Sequence, residues 1–369
     1  MRRRELIAVL GGAAAWPIAG RAQQRERVRH VGVLIAFSEN DPVARASVPA
    51  FAQALRRLEW VEGKNIQLHY RFAAGDPVLF ERYAAELVAL SPDAILAGTP
   101  PAISALQRQT HTMPIVFVLV VDPIGLGFVQ SLAHPGGNIT GFGAFDPPII
   151  GKWLQLLKEI APSVTRVAII FNPDTAPYAP VFNRVLEAAA PSFGITLTLA
   201  PVRNDVAIEE AIVTLASKPG GGVINLPDIF TASHREVTIA AAARYRLPLM
   251  GPAEFFPRAG ALMSYWFDPV DVHAQAASYI DRILRGTNPA DLPVQQPTKY
   301  SLIINLKTAK ALGPRSPLAC STSPTRLLSE QTGADAVAGW RCDCTARLAR
   351  GAEGHTGDRL SQQRVVWSV

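Results

Sequence analysis

Residues 115–121, Ile-Val-Phe-Val-Leu-Val-Val, run directly into Asp122-Pro123-Ile124-Gly125-Leu126-Gly127. After Phe128 to His134 the chain continues as Pro135-Gly136-Gly137-Asn138-Ile139-Thr140-Gly141-Phe142. The first run has the length and β-branched content of a strand buried on both faces. The residues after Val121 form a seam: glycines at 125, 127, 136, 137 and 141 let the backbone turn or approach a neighbour closely, and Asn138 and Thr140 offer side-chain hydrogen bonds.

Upstream of the seam, Val28 to Phe37 reads as a buried strand ending in the turn residues Ser38-Glu39-Asn40-Asp41-Pro42. A helix comes next, with Phe51, Ala54, Leu55 and Leu58 at helical spacing. A second strand runs from Ile66 to Phe72, and a helix to Leu90 carries Phe80, Tyr83, Ala84 and Leu87 on one face. A third strand, Ala94 to Ala97, stops at Gly98-Thr99-Pro100-Pro101, and a helix over 102–109 leads to the strand at 115–121. Alternation of this kind predicts a parallel sheet with helices on both faces.

Downstream the pattern repeats. A helix over 152–160 turns Trp153, Leu156, Leu157 and Ile160 inward, and strands are predicted at 166–171, 195–202, 223–226 and 247–250. Helices are predicted over 181–190, 207–216 and 234–245 between them. Gly260 to Tyr265 reads as a return toward the first half. It is followed by a helix over 270–284, a Pro-rich connection over 286–297, and a last strand and helix within 299–312. The fold class is therefore α/β, with two doubly wound parallel-sheet lobes.

The string from Pro114-Ile115-Val116 to Gly141 closely resembles a motif of bacterial ABC-transporter substrate-binding proteins, the group that includes tryptophan- and tyrosine-binding members. In that group, Asp-Pro-x-Gly-x-Gly and Ser-Leu-x-x-Pro-Gly-Gly-Asn-Ile-Thr-Gly succeed one another as they do here. The resemblance extends from Arg29 to Gly313. It implies a type I periplasmic-binding fold with a multi-crossing hinge, lobe one being 28–143 with 264–298 and lobe two 144–263 with 299–313. It also implies a solute captured by hinge closure and handed to an ABC permease in the inner membrane, by a monomer that is not an enzyme. One departure is visible. Where the group shows Ser-Tyr-Gly and then an Arg pair, this chain has Ser264-Tyr265-Trp266 and His273-Ala274-Gln275.

Both ends differ from the middle. Residues 1–22 have Arg2, Arg3 and Arg4, an apolar stretch from Leu6 to Ile18 and small residues at Gly20 and Ala22, the layout of an export signal; the order Arg3-Arg4-Glu5-Leu6-Ile7 resembles a twin-arginine signal. A periplasmic location is the expectation. Residues 314–369 lose periodicity, contain no Lys, and hold all three cysteines, Cys320, Cys342 and Cys344. That composition fits out-of-frame translation of a GC-rich gene, or a low-complexity tail. Cys342-Asp343-Cys344 lacks the second ligand pair that a metal site needs. The leader carries +3 and the tail +2 of the net charge of +6, which leaves +1 for the middle. The overall basicity is thus no argument for nucleic-acid binding, which needs a clustered basic face.

In open α/β sheets ligands sit beyond the carboxyl ends of the strands. That rule selects Ser38, Gly98, Thr99, Asp122, Asn172, Asp174, Asp228 and Glu254. A zwitterionic solute needs a carboxylate such as Asp122, Asp228 or Glu254 for its ammonium, and helix N-termini for its carboxylate. Phe37, Phe142, Phe145, Phe255 or Trp266 would enclose an apolar side chain. Asp122 equally reads as a turn initiator, and Asp174 and Asp228 as helix caps. The resemblance implies that Gly98, Thr99, the stretch Asn138, Thr140 and Gly141, and the Asn172 and Asp228 loops line the cleft. No cofactor is indicated, and no Gly-x-Ser-x-Gly, Walker or His-Glu-x-x-His signature occurs. A ligand-sensing partner of a membrane signalling protein and an exported α/β enzyme are the alternative readings.

Overall fold

The computed structural model describes residues 27–144, 147–313 and 362–368. The predicted export signal, Phe145 and the tail from 314 to 361 lie outside the described residues.

The first lobe is built on a five-stranded parallel sheet: β1 (Arg29–Ile35), β2 (Ile66–Phe72), β3 (Ala94–Gly98), β4 (Ile115–Val120) and β5 (Ile139–Gly143), in the order β2-β1-β3-β4-β5. Every residue of β3 and of β5 is buried, which explains why these strands are apolar runs rather than alternating ones. Helices α1 (Pro42–Arg57), α2 (Pro77–Ala89) and α3 (Thr99–Gln109) connect them. α1 buries Val43, Ala44, Ser47, Phe51 and Leu55, one stripe at three- and four-residue spacing.

The second lobe begins with α4 (Pro147–Ile160) and β6 (Arg166–Phe171), then α5 (Ala179–Ala189), β7 (Thr196–Pro201), α6 (Asp205–Ala216) and β8 (Gly221–Asn225). It continues through α7 (Ile229–Ser233), α8 (Arg235–Arg244), β9 (Leu249–Gly251), α9 (Phe255–Ala259) and β10 (Met263–Trp266). α10 (Pro269–Leu284) then returns to the first lobe, and β11 (Lys299–Asn305), α11 (Leu306–Leu312) and β12 (Gln362–Ser368) belong to the second. The sheet order is β12-β11-β10-β9-β8-β6-β7. Its strands are parallel from β7 to β10, while β11 and β12 are antiparallel to their neighbours. The two-lobed α/β expectation is met. Among the described residues no helix is long and apolar enough to cross a membrane.

Two boundaries differ from the sequence reading. Ser264, Tyr265 and Trp266 do not return to lobe one: β10 pairs Met263 with Met250 and Ser264 with Gly251 on one side, and Trp266 with Ser301 on the other. Both edges of that strand are satisfied inside the second sheet, so the chain crosses only after Trp266. There Asp268 caps α10 through the Val270 amide at 2.9 Å. α3 starts at Thr99 rather than 102, because Pro100 and Pro101 have the fixed φ that suits a first helical turn.

The glycine-rich seam is a joint. Gly141 sits at φ +152, and a Cβ there would lie 2.1 Å from the Phe117 carbonyl oxygen; only glycine lets β5 come that close to β4. The segment before β11 runs alongside, with Gln295 donating to the Gly141 carbonyl at 2.9 Å and accepting from the Gly143 amide at 2.8 Å. Thr140, fully buried, donates its hydroxyl to the Leu292 carbonyl at 2.5 Å. On the other side of the hinge, the buried Trp153 of α4 donates Nε1–H to the Tyr265 carbonyl at 3.0 Å and packs against Phe182 and Trp266.

Candidate functional site in the interlobe cleft

The carboxyl edges of the two sheets face each other, as the placement rule requires. On the first lobe that edge consists of Phe37-Ser38 after β1, Ala73 to Gly75 after β2, Thr99 after β3 and Val121-Asp122 after β4. On the second it consists of Asn172 to Thr175 after β6, Leu226 to Asp228 after β8 and Pro252 to Glu254 after β9. The rims touch. A Cβ on Gly75 would be 3.4 Å from Ser233 Oγ, Phe37 meets Phe255 edge-on with ring centres 6.4 Å apart, and Asp41 is paired to Arg235 at 2.9 Å.

Backbone strain gathers on the first-lobe edge. Thr99 (φ +71), Leu119 (φ +59) and Asp122 (φ +49) are left-handed without being glycine, a conformation that costs a residue with a Cβ about 1–2 kcal/mol. Leu119 accounts for its own case: it is the extra residue of a bulge, Val118 pairing with Phe142 and Val120 with Gly143. Asp122 is also accounted for, its Oδ1 accepting from the Gly125 amide at 2.9 Å as a turn initiator does. Thr99 has no such reason. Its hydroxyl is buried and has no hydrogen-bond partner, so strain and an unmade bond coincide at the mouth of α3. That coincidence makes Thr99 the candidate for ligand contact on this edge.

Several candidates are engaged in bonds within the scaffold. Asn138 lies at the amino end of β5, away from the cleft, and donates to the Met113 carbonyl at 2.7 Å; Thr140 and Gly141 belong to the joint described above. Asp228 is buried and has its oxygens filled: it accepts from Thr175 Oγ1 at 2.5 Å and from the Asn172 and Phe230 amides at 2.9 and 3.1 Å. Burial pushes its carboxyl above the usual range, and the hydrogen bonds from Thr175, Asn172, Phe230 and Thr231 pull it back only in part. Tyr178, buried beside it, donates to the Pro227 carbonyl and is itself pushed far up, by burial and then by the Asp228 charge. Asp228 thus caps α7 and ties the β6 and β8 loops together. Asn172 shares that role, its Oδ1 accepting from the Asp174 amide at 2.8 Å. Asp174, by contrast, is exposed and held by Arg203 through two bonds of 2.8 and 3.2 Å. Phe142 packs on Tyr279 within lobe one.

The helix mouths offer fewer amide donors than the sequence suggested. Asp41, Asp76 and Asp268 cap α1, α2 and α10 with their own carboxylates, each followed by a proline at the first helical position. At α3, Gly98 supplies no side-chain cap, and two of the first three residues are prolines without an N–H, so only Thr99 can donate there.

Beside the hinge, Glu254, Ser264, Trp266, Phe267, Asp268, Ser301 and Ile303 line a recess of about 210 Å³, counting its open side. Glu254 faces this recess with Arg258 at 3.4 Å, and Trp266 is packed between Trp153 and Phe267. The expected basic positions behind it are a buried His273, donating Nδ1–H to the Pro269 carbonyl at 2.7 Å and kept neutral by burial, and Gln275. Ser38 is exposed, its carbonyl accepting from the Asp41 amide at 3.1 Å.

Sequence reasoning missed three residues. Asp41 and Arg235 meet only through the fold. Asn225, at the end of β8, is fully buried with both amide atoms unpartnered, and its signal was legible as a lone polar residue closing an apolar strand. Among the described residues no group of His, Cys, Asp or Glu is placed to hold a metal ion.

Comparison with known proteins places this architecture. A family model described as ABC transporter substrate binding protein matches residues 31–326. A tyrosine-binding protein of Clostridioides difficile is 26% identical over 263 residues, 71% of this chain and 75% of its own. A conserved domain protein of Vibrio cholerae superposes with a TM-score of 0.73 at 31% identity, over 79% of this chain and 97% of its own. The ABC domain in complex with L-Trp from Streptococcus pneumonia superposes with a TM-score of 0.72 at 23% identity, over 79% and 98% respectively.

Proposed function

Because this chain belongs to the ABC transporter substrate-binding protein family, we propose that its solute is an aromatic amino acid, held between the lobes and delivered to a membrane permease. What carries the reading is Thr99: a strained residue whose buried hydroxyl lacks a partner is poised for a ligand at the cleft edge. Thr99 would bond the solute carboxylate through its hydroxyl and amide, and Glu254 would take the ammonium beside the hinge. Phe255, Phe37 and Trp266 would enclose the ring, aromatic pairs adding about 0.5–1.5 kcal/mol each beyond area burial. The tyrosine-binding relative supports this choice of solute. Residues 1–22 would direct export to the periplasm, where the protein would act as a monomer.

The test is calorimetric titration of L-tyrosine, L-tryptophan, L-leucine and D-glucose into the full chain, followed by thermal shifts. At a hundredfold excess over Kd a bound solute stabilises the native state by about 2.7 kcal/mol. Binding of the aromatic pair in preference to leucine is the expected result. Glucose binding with no response to any amino acid would overturn the proposal.

A further inference from the structure

Among the described residues, one ion pair joins the two lobes: Asp41 with Arg235, 2.9 Å apart. Every other ion pair between described residues lies within a single lobe. We infer that this pair is a latch that favours the closed arrangement of the lobes and thereby sets the apparent affinity; the inference rests on the reading that the lobes close around a solute.

The geometry supports a switch rather than a permanent tie. Asp41 is already the cap of α1, its Oδ1 accepting from the Val43 amide at 2.8 Å, which leaves Oδ2 for Arg235. Arg235, at the start of α8, donates from the same Nη1 to the Ala232 carbonyl at 2.8 Å, and its guanidinium lies 5.4 Å from the centre of the Phe255 ring. Phe255 in turn meets Phe37 across the cleft. The two charged side chains are only 10% and 11% exposed. A pair so buried gives back in desolvation much of what attraction supplies. Opening the cleft returns both groups to water, so the latch shifts the balance between closed and open states without locking it. Arg235 also presents a flat cation to the aromatic rim, which couples latch and solute enclosure through one ring.

The consequence for binding is arithmetic. If only the closed-competent fraction binds, the apparent Kd scales inversely with that fraction, so loss of the latch lowers the fraction and raises Kd by the same factor. Salt acts on the pair only weakly while it is buried, because screening reaches exposed charges far more than buried ones.

The experiment is a spin-label distance measurement on the full chain. Labels are placed at Val78→Cys on α2 and Val206→Cys on α6, both well exposed at 72% and 65%, with Cys320, Cys342 and Cys344 changed to Ser. Ligand-free Asp41→Asn, which keeps the cap acceptor, and Arg235→Met should each shift the interlobe distances away from the parent distribution. The double variant should match either single one, as a pair acting together requires. If Arg235→Met fails to fold, Arg235→Gln takes its place, and its distances should match those of Asp41→Asn. Unchanged distances in Asp41→Asn at low salt, or shifts that add fully in the double variant, would overturn the inference. Because these readouts need no solute, a failure of L-tyrosine to bind would count against the proposed cargo and leave the latch to be judged separately.

Discussion

Changing Thr99 to Gly separates scaffold from site in one residue. The left-handed backbone costs threonine about 1–2 kcal/mol that glycine does not incur. The buried, unpartnered hydroxyl costs about 1–3 kcal/mol more, which the substitution removes. Against this, glycine loses about 0.5–1 kcal/mol more conformational freedom on folding, and the lost methyl group forfeits about 0.8 kcal/mol of burial. Over these ranges the balance favours the variant by about 0.2 to 3.7 kcal/mol, about 2 kcal/mol at the middle, which is a rise in melting temperature of roughly 4–8 °C for lobes of this size. Scanning calorimetry of the ligand-free protein reads that arm directly. For binding the sign reverses: a hydrogen bond to a charged carboxylate is worth about 1.5–3 kcal/mol, so the L-tyrosine Kd should rise about tenfold or more, while Thr99→Ser keeps the hydroxyl and stays near the parent. A variant that melts lower would refute the strain argument and make Thr99 a packing residue. One that melts higher yet binds unchanged would remove the hydroxyl from the site.

The scaffold sets three further outcomes. Gly141→Ala should destabilise the first lobe by about 3 kcal/mol or more, since overpacking and a forbidden φ add, and a denaturant midpoint close to the parent value would contradict the close β4–β5 approach. Trp153→Ala should cost about 3–5 kcal/mol through the cavity beneath Trp266, measured by urea unfolding. His273 has its folded-state pKa lowered, by burial first, with the Pro269 carbonyl and Asp268 opposing; the unfolded chain therefore takes up the proton first, and stability falls as pH drops below about 6.5. The slope approaches 1.4 kcal/mol per pH unit until the folded pKa is reached, by a conversion of about 1.4 kcal/mol per unit. His69 shifts the same way, so the comparison is with His273→Gln, whose stability should fall less steeply than the parent's as pH drops below about 6.5.

The lobes were legible because buried parallel strands must be apolar runs and their crossovers must be amphipathic. Val31 to Ile35, Ala94 to Gly98 and Ile115 to Val120 could hardly be anything else. The crossing points were less so. Ser264 to Trp266 has the same local pattern whichever sheet it joins, and only its pairing with Met250, Gly251 and Ser301 decides. At the site the limit was a different one. Aspartate before a turn reads alike whether it meets solvent, a helix or a ligand, so Asp228 and Asp174 were assigned by type when their surroundings, buried donors for one and Arg203 for the other, set their roles. The motif that best revealed the family, Asn138 to Gly141, is kept in shape by strand pairing and lies partly at the far end of the sheet. Asp41 and Arg235 are 194 residues apart, and nothing local to either one announces the other.

The aspartate-proline starts of α1, α2 and α10, and the paired prolines of α3, shape selectivity by subtraction. Phosphate-binding proteins commonly exploit the bare amides and positive field of a helix end. Here three of those ends are already neutralised by a built-in carboxylate, and at the fourth two of the first three residues have no N–H to give. A doubly charged anion arriving between the lobes would find few bare amides on these four helices. On the proposed reading the cleft would favour solutes of little net charge, whose two opposite ends one hydroxyl and one carboxylate would meet.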